Sequence, residues 1–421
     1  MKWHLYEWSE GFSIRSLRRE PASLPFVEEV FSRVAAEGDE ALLAYTRLWD
    51  GVSLARLRVP VQEIESARVS PSLAAAIERA YANIYSFHSL QRPKEIVTET
   101  EEGVLCGLRY VPIRRVGLYI PGGTAPLFST VLMLGVPAQI AGVPSVAMAM
   151  PPSPSGTVHP AVLYAARLCG ISEIYTVGGA QAIAAFAIGT ATIPAVDKIF
   201  GPGNRYVQAA KLEAVRRGVA IDMPAGPSEV VIVTDETALP LWVAADLIAQ
   251  AEHGPDSLVG LVSPSRELIQ QVSESLYQQV SMHPRRRFIE SSLEGSWALW
   301  VPDMDTALTV VEEVAPEHLI LACKSPESWL SRLHRVGSVF LGPLTPESAG
   351  DYASGTNHVL PTGGAARGYS SLTVLSFLRS FTYQRLTLEG VRSLSPTVIS
   401  MAEAEELPAH AQAMKLRYAS L

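Results

Sequence analysis

The sequence predicts an α/β protein built from two Rossmann-like parallel-sheet lobes, with short helical appendages at its N and C termini. Its 421 residues exceed what a single hydrophobic core usually accommodates, which favours two lobes. Hydrophobic residues make up 48% of the chain and charged residues 18%, a balance that fills α/β cores and argues against disorder. Short apolar runs also alternate with helical stretches, an order typical of parallel sheets covered by helices.

The first patterned segment, residues 24–95, predicts helices. Apolar residues recur there at spacings of three and four, and Asp50-Gly51 ends the first helical stretch. Ser70 stands directly ahead of Pro71 and is expected to cap the next helix.

From about residue 117 to residue 235, strands alternate with turns and helices; the strands are VGLYI, VPSVAMAM, EIYTV and VVIVTD. A second α/β region follows, with the strands SLVGLVS, HLILAC and GSVFLG. Residues 131–150 are uncharged, but Pro137 and Pro144 favour a buried helix followed by a strand over a membrane span. The tail after residue 372 is polar, is expected to be helical, and is too short to bury its own core.

These patterns predict four parts of the chain. They are an N-terminal appendage (1–15), a discontinuous first lobe (16–118 and 230–371), a second lobe (119–229) and a C-terminal tail (372–421).

Composition and charge restrict the class of protein. The chain has 34 basic and 42 acidic residues, a net charge of −8, and no basic run interleaved with aromatics, so we expect no nucleic-acid partner. The three cysteines are far apart and form no CxxC motif, which argues against a disulfide framework and fits a reducing cytoplasm. The N-terminal segment lacks the apolar core of a signal peptide, and we expect no membrane association.

Glycine turns at strand ends are the first candidates for ligand contacts. The G-x-G-x-x-G dinucleotide fingerprint is absent, since Gly201-Pro202-Gly203-Asn204 lacks its third glycine. Pro121-Gly122-Gly123 and Gly178-Gly179 follow predicted strands, where backbone N–H groups can meet a phosphate. Ordinary turns explain these glycines equally well.

Histidines and carboxylates suggest a metal site. Gln250 and His253 lie three residues apart at the end of an apolar helix and project from one face. Asp351 and His358 flank a polar, glycine-rich loop, and His410 lies in the tail. Imidazole nitrogen and carboxylate oxygen suit zinc, although each of these residues could also be an ordinary surface or core residue.

Two polar pairs stand at strand starts. Glu317-His318 precedes an apolar strand, and a neighbouring carboxylate and imidazole are the usual groups for proton transfer to and from an alcohol or water. Ser228-Glu229 enters another strand and could contact or support a substrate. Simple polar strand starts remain the alternative for both pairs.

Several long stretches, taken together and in order, resemble the histidinol dehydrogenase family. They are VGLYIPGGTAPLFSTVLMLGVPAQIAG (116–142), VGGAQAIAA (177–185), VDKIFGPGNRYV (196–207), IDMPAGPSEV (221–230), AQAEHG (249–254), APEHLIL (315–321) and GDYASGTNHVLPTGGAARGYSS (350–371). The resemblance runs from near the N terminus to the tail, with no missing block.

The resemblance implies a zinc- and NAD-dependent oxidoreductase of histidine biosynthesis. It implies that one zinc ion per subunit is held by Gln250, His253, Asp351 and His410. It implies that NAD is bound in the second lobe by Tyr119, Gln181 and Asn204, while the first lobe carries most of the zinc site. It implies a set of substrate contacts consisting of Ser228, Gln250, His253, His318, Asp351, His358, Glu405 and His410.

The resemblance also implies the reaction and the assembly. L-histidinol would be oxidised by four electrons, through bound L-histidinaldehyde, to L-histidine. His318 would remove the alcohol proton and Glu317 would activate water for the second step. The family's homodimer shares its active sites, so the tail with Glu405 and His410 would serve the neighbouring subunit. Alternatives are a dehydrogenase of the same scaffold acting on another amino or sulfonated alcohol, a catalytically idle ligand-sensing relative, and a zinc hydrolase.

Overall fold

The structure, a computed structural model, describes residues 3–18, 26–122, 125–224 and 226–420. Gly123, one of the candidate phosphate contacts, therefore lies outside the described residues. The described strands are β1 (His4–Glu7), β2 (Ile96–Glu101), β3 (Val104–Pro112), β4 (Arg115–Tyr119), β5 (Ser145–Met150), β6 (Glu173–Thr176), β7 (Lys198–Phe200), β8 (Ala220–Ile221), β9 (Glu229–Thr234), β10 (Leu258–Ser263), β11 (Trp297–Trp300), β12 (His318–Ala322), β13 (Ser338–Leu341) and β14 (Leu378–Leu386).

Helices connect most of these strands. The α-helices are α1 (Glu28–Glu37), α2 (Asp39–Tyr45), α3 (Val61–Ser66), α4 (Pro71–Ser89), α5 (Phe128–Ala141), α6 (Pro160–Leu168), α7 (Gly179–Ile188), α8 (Arg205–Arg216), α9 (Pro240–Ala251), α10 (Arg266–Ser281), α11 (Arg286–Glu294), α12 (Met304–Val314), α13 (Glu347–Tyr352), α14 (Leu388–Ala404) and α15 (Pro408–Ala419). The shorter helical turns are a π-helical turn (Thr46–Asp50) and 3₁₀ helices at Ile14–Leu17, Pro326–Arg332, Ala365–Arg367 and Val374–Phe377. None of the described helices is both long and apolar enough to cross a bilayer.

Two parallel sheets confirm the predicted fold class. The smaller sheet has the order β6-β5-β4-β7-β8, and the larger has β1-β11-β10-β9-β12-β13. Apart from β1, both follow the same winding, in which the first strand is central, the next two lie on one side and the last two on the other. This is the doubly wound order, and its direction reverses between β4 and β7 and between β9 and β12.

The strands are apolar because helices cover both faces of each sheet. All six residues of β9 and of β10 are buried. Gly260 in β10 admits the buried indole of Trp297, since a Cβ at this position would lie 2.5 Å from that ring. Trp297 Nε1 in turn donates to the backbone oxygen of Leu17 at 2.8 Å, which fixes the N-terminal segment on the larger sheet.

The helices of residues 28–89 pack on the smaller sheet. Phe31 of α1 belongs to the core between α7 and this sheet, and Ile84 of α4 belongs to the core beneath α5 and α6. This packing differs from the expected grouping of residues 16–118 with residues 230–371. The sequence shows that these helices have apolar faces, but it does not show which sheet the faces cover.

The two chain ends also depart from simple helical appendages. Strand β1 joins the edge of the larger sheet by pairing with β11. Strand β14, in a tail that was expected to be helical, pairs antiparallel with β3 along its whole length, and β2 completes this three-stranded sheet. Helices α14 and α15 then pack on each other.

Candidate active site

Helix α9 places Gln250 and His253 at one end of the larger sheet. Gln250 is fully buried, yet neither its Oε1 nor its Nε2 has a hydrogen-bond partner among the described residues. Buried polar atoms are almost always paired, so this amide fits a group that the chain itself does not supply. His253 is exposed at its surface, but desolvation by the neighbouring protein lowers its pKa, while the Asp351 carboxylate opposes the shift.

Helix α13 packs against α9 and brings two carboxylates to the same place. Glu347 and Asp351 lie one turn apart on α13. Burial alone raises the pKa of Asp351, but the neighbouring imidazoles of His318, His358 and His253 hold it below its ordinary value. Glu347 is buried, its Oε2 has no partner in the described ranges, and burial raises its pKa to about 8.

The first residue of β12, His318, is the centre of the cluster. Its Nδ1 donates to the backbone oxygen of Glu229 at 3.2 Å. Because a carbonyl can only accept, Nδ1 keeps its proton in the neutral form of the ring, so Nε2 is the nitrogen that takes up and releases a proton. Nε2 has no hydrogen-bond partner among the residues described and lies 3.7 Å from Asp351 Oδ1.

Three carboxylates surround this imidazole. Glu317 Oε2 lies 3.6 Å and Glu347 Oε1 lies 3.8 Å from His318 Nδ1, and Asp351 lies on the opposite side of the ring. Burial lowers the pKa of His318, but the negative charges outweigh it and raise this pKa well above its ordinary value. His318, Glu347 and Asp351 also form a group whose ligand atoms all lie within 4.8 Å of one another. This group shares Asp351 with the expected zinc ligands.

The main chain of Glu229 orients both members of the predicted catalytic pair. Its N–H donates to Glu317 Oε2 at 2.8 Å, and its oxygen accepts from His318. The Glu229 side chain accepts from the backbone N–H of Gly363 at 3.0 Å, and burial raises its pKa to about 7. Burial also raises the pKa of Glu317 well above its ordinary value. Ser228, half-buried, directly precedes this residue.

The loop after α13 carries His358 to the smaller sheet's helices. Its Nδ1 donates to the backbone oxygen of Asp351 at 2.8 Å, and its Nε2 lies 3.3 Å from the Thr130 hydroxyl of α5. Next to it, Asn357 is buried and donates to the backbone oxygen of Met133 at 2.7 Å. His358 therefore links α13 to α5, a helix of the smaller sheet.

Two predicted contacts lie outside this cluster within one chain. Glu405 follows α14 and His410 lies on α15, and both are exposed. Helix α15 packs chiefly on α14 and not on α9 or α13, which position the other proposed zinc ligands.

The three expected nucleotide contacts meet at the carboxyl edge of the smaller sheet. Tyr119 ends β4, Gln181 lies in the first turn of α7, and Asn204 caps α8 after β7. The Tyr119 hydroxyl accepts the backbone N–H of Gly179 at 3.0 Å, and burial raises the pKa of Tyr119 to about 12. Gln181 is buried, and its Oε1 has no partner in the described part of the chain.

The approach of β4 to the loop after β7 depends on a glycine. Gly201 has a φ of +125°, and a Cβ there would lie 2.1 Å from the backbone oxygen of Tyr119. Asn204 Oδ1 accepts from the backbone N–H groups of Tyr206 and Val207 at 3.0 and 3.2 Å, which caps α8. The part of this side chain that can still bind a ligand is therefore its NH2 group, as a donor.

Sequence reasoning missed Glu347, because it lies on a separate element, helix α13, 29 positions beyond His318 in the chain. The stretch PESAGDY could have indicated it, because Glu347 and Asp351 are spaced there so that they lie on the same face of a helix. Two of the three cysteines, Cys169 and Cys323, do not compete as nucleophiles. Burial raises the pKa of the Cys323 thiol to about 12 and raises that of Cys169 as well, so both remain protonated.

Comparisons with known proteins agree with the expected resemblance. A model of the histidinol dehydrogenase family matches residues 15–418. The histidinol dehydrogenase of Vibrio vulnificus (strain CMCP6) is 50% identical over 399 residues, which cover 94% of this chain and 92% of that protein. The histidinol dehydrogenase of Bacteroides thetaiotaomicron is 48% identical over 417 residues, covering 99% and 97%. The crystal structure of histidinol dehydrogenase from Elizabethkingia anophelis has a TM-score of 0.95 at 44% identity, covering 99% of this chain and 98% of that one. This chain therefore belongs to the histidinol dehydrogenase family and is an oxidoreductase.

Proposed function

We propose that this protein oxidises L-histidinol to L-histidine in two successive two-electron steps, with NAD as the oxidant and L-histidinaldehyde as the bound intermediate. The observation that carries the proposal is the buried His318, whose Nε2 lies 3.7 Å from Asp351 Oδ1 and has no hydrogen-bond partner among the described residues. Family membership supports the substrate, since the relatives bear the name histidinol dehydrogenase.

The donor set fits zinc. Gln250, His253 and Asp351 of one chain, with His410 of a second copy, would supply the amide, imidazole and carboxylate donors that zinc accepts. The orphaned Gln250 amide supports this assignment, because a buried amide without partners is costly unless a ligand group satisfies it. A bound zinc ion would hold and orient the amino and imidazole groups of the substrate.

His318 and Glu317 would carry the protons. In the first step His318 Nε2 takes the hydroxyl proton as the alcohol carbon loses a hydride and becomes an aldehyde. As water adds to this aldehyde, Glu317 would take a proton from the water and His318 would give the proton it holds to the aldehyde oxygen, which forms the hydrate. His318, neutral again, would take a hydroxyl proton of the hydrate in the second oxidation. NAD, when bound, accepts one hydride in each step.

Tyr119, Gln181 and Asn204 would bind this NAD at the carboxyl edge of the smaller sheet. The orphaned Oε1 of Gln181 offers an acceptor, and the direction reversal between β4 and β7 is where doubly wound sheets bind nucleotides. Ser228, His358 and Glu405 would contact the substrate. His358 supports this arrangement because it connects α13, which carries the proposed zinc ligand Asp351, to α5 of the smaller sheet.

A cytoplasmic homodimer with shared active sites completes the proposal. The tail presents Leu388, Met401 and Leu416 with 58%, 61% and 58% of their side chains exposed, an apolar surface suited to a second subunit. The proposed domains are the N-terminal segment, a zinc-bearing lobe around the larger sheet, an NAD-binding lobe around the smaller sheet, and the tail from residue 372, which would carry Glu405 and His410 to the partner's site.

The test is NADH formation from L-histidinol, NAD and zinc at mildly alkaline pH, with histidine measured at the end. We expect two NADH for each histidine formed. If the protein binds NAD and zinc but leaves histidinol unchanged while oxidising another amino or sulfonated alcohol, the substrate assignment is wrong. If NAD does not bind at all, the oxidant is wrong as well.

A further inference from the structure

Asp50 has a buried carboxylate oxygen that receives no hydrogen bond from the described part of the chain. It ends the π-helical turn Thr46–Asp50 and is followed by Gly51, whose φ of +70° turns the chain sharply. Its Oδ2 is buried and has no hydrogen-bond partner among the described residues. Burial raises the pKa of Asp50, so keeping this carboxylate costs stability near neutral pH.

The chain around Asp50 lies at the carboxyl edge of the smaller sheet. The side chains of Val52 and Leu54 approach Gly156, in the loop after β5, to within 3.5 and 3.4 Å of where its Cβ would stand. Leu57 then accepts the backbone N–H of Thr176, the last residue of β6, at 2.8 Å. Tyr119 ends β4 at this same edge, and the charge of Asp50 contributes to raising its pKa.

This edge lacks the acidic residue that dinucleotide-binding sheets usually carry. In the doubly wound fold, a carboxylate near the end of the second strand accepts the ribose hydroxyls of NAD. The second strand here is β5, and Pro151-Pro152-Ser153 follows it without a carboxylate. A different carboxylate at this edge, Asp222, is already occupied, since it pairs with Lys211 and accepts the backbone N–H of Gly201 at 2.8 Å.

An aromatic surface lies next to Asp50. Trp49 has 51% of its surface exposed and stacks on Tyr45 with ring centroids 4.3 Å apart. Its other face is suited to stacking on a nucleobase, because base–aromatic stacking is favourable for every base. A carboxylate and an adjoining aromatic face together match the ribose and base of an adenosine.

We propose that Asp50 accepts hydrogen bonds from the adenosine ribose hydroxyls of NAD and that its negative charge excludes a cofactor bearing a 2′-phosphate. This inference rests on the proposed NAD chemistry. It assigns the choice between NAD and NADP to a residue of the N-terminal helical segment rather than to the nucleotide-binding sheet itself.

The test compares Asp50→Asn and Asp50→Ala with wild type in zinc-loaded, full-length protein. Calorimetry gives the Kd of NAD and of NADP without histidinol, and steady-state rates give the KM of each cofactor. Thermal unfolding reports whether either change damages the fold. Asn removes the charge at nearly the same shape, whereas Ala also removes the acceptor. Glu63→Gln removes an exposed carboxylate of the same segment and serves as the control for net charge.

We expect Asp50→Ala to raise the Kd of NAD roughly tenfold to a hundredfold, because the hydrogen bonds to a charged acceptor are lost. Both variants should narrow the preference for NAD over NADP, and neither should lower Tm or raise the KM of histidinol. If wild type binds NAD while both variants keep its Kd and its preference, this inference is wrong and the proposed function stands. A lowered Tm with unchanged cofactor binding would instead make Asp50 structural. If wild type binds neither dinucleotide, the proposed function fails as well.

Discussion

Lys211→Met is expected to destabilise the nucleotide-binding edge strongly. Lys211 and Asp222 form an ion pair in which each side chain is only 1% exposed. Lys211 Nζ also donates to the backbone oxygen of Gly201 at 3.0 Å, and Asp222 accepts the backbone N–H groups of Gly201 and Met223 at 2.8 and 2.7 Å. Removing the lysine leaves a buried carboxylate without a counter-charge.

The magnitude follows from this burial. Removing one partner of a buried ion pair costs about 3–5 kcal/mol, whereas an exposed pair contributes about 0–1 kcal/mol. At roughly 2–4 °C per kcal/mol, the expected fall in Tm is on the order of 6–20 °C. Because Gly201 precedes Asn204 by three residues, NAD binding should weaken in the same variant.

Two further variants show whether the loss of stability in Lys211→Met comes from the broken ion pair or from another effect of the substitution. Lys211→Met with Asp222→Asn should recover part of the lost stability, because a neutral amide needs no counter-charge. Arg286→Met breaks the exposed pair with Glu290 and should leave Tm nearly unchanged. The assay is thermal and urea unfolding of the full-length protein. A change in Tm for Lys211→Met no larger than that for Arg286→Met would refute the reasoning.

Three further changes test the site and the fold. His318→Asn should lower kcat about 10²–10⁴-fold with zinc content and NAD affinity retained, as expected for loss of a general base, and a loss below tenfold would contradict that role. His410→Ala should lose zinc and activity together, and mixing it with His318→Asn subunits should restore measurable activity in hybrid dimers, whereas an inactive mixture containing hybrid dimers would argue against a shared site. Gly260→Ala should lower stability by about 1–3 kcal/mol in urea unfolding, since its Cβ would lie 2.5 Å from the Trp297 ring, and an unchanged midpoint would show that the core can adjust.

Seven strands of the two sheets were predictable because they are short, continuous apolar runs such as VVIVT, whereas β1, β7, β8 and β11 were not predicted. Buried parallel strands have few alternatives once such runs alternate with helices. Strand β14 was missed because it is mostly exposed, so its sequence LRSFTYQRL lacks the apolar signal of a core strand. The cover provided by α1 and α4 was also not predictable, since an apolar helix face does not specify its partner.

The candidate site was predictable where the residues lie close in sequence. Glu317 and His318 are adjacent, and their position at a strand start is visible without a structure. Glu347 approaches the same imidazole only because α13 packs against α9, an arrangement set by tertiary packing. Asp50 lies even farther in sequence from the other site residues, and only folding brings it to the sheet edge where Tyr119 lies.

The main-chain contacts of Glu229 have a consequence for how the catalytic pair can change in evolution. Its N–H and its carbonyl hold Glu317 and His318, and neither group depends on the identity of the side chain at this position. The alignment of acid and base is therefore encoded in the register between β9 and β12, where His318 is paired with Val230. Point substitutions can alter the environment of the pair, but displacing it requires an insertion, a deletion or a bulge that shifts one strand past the other.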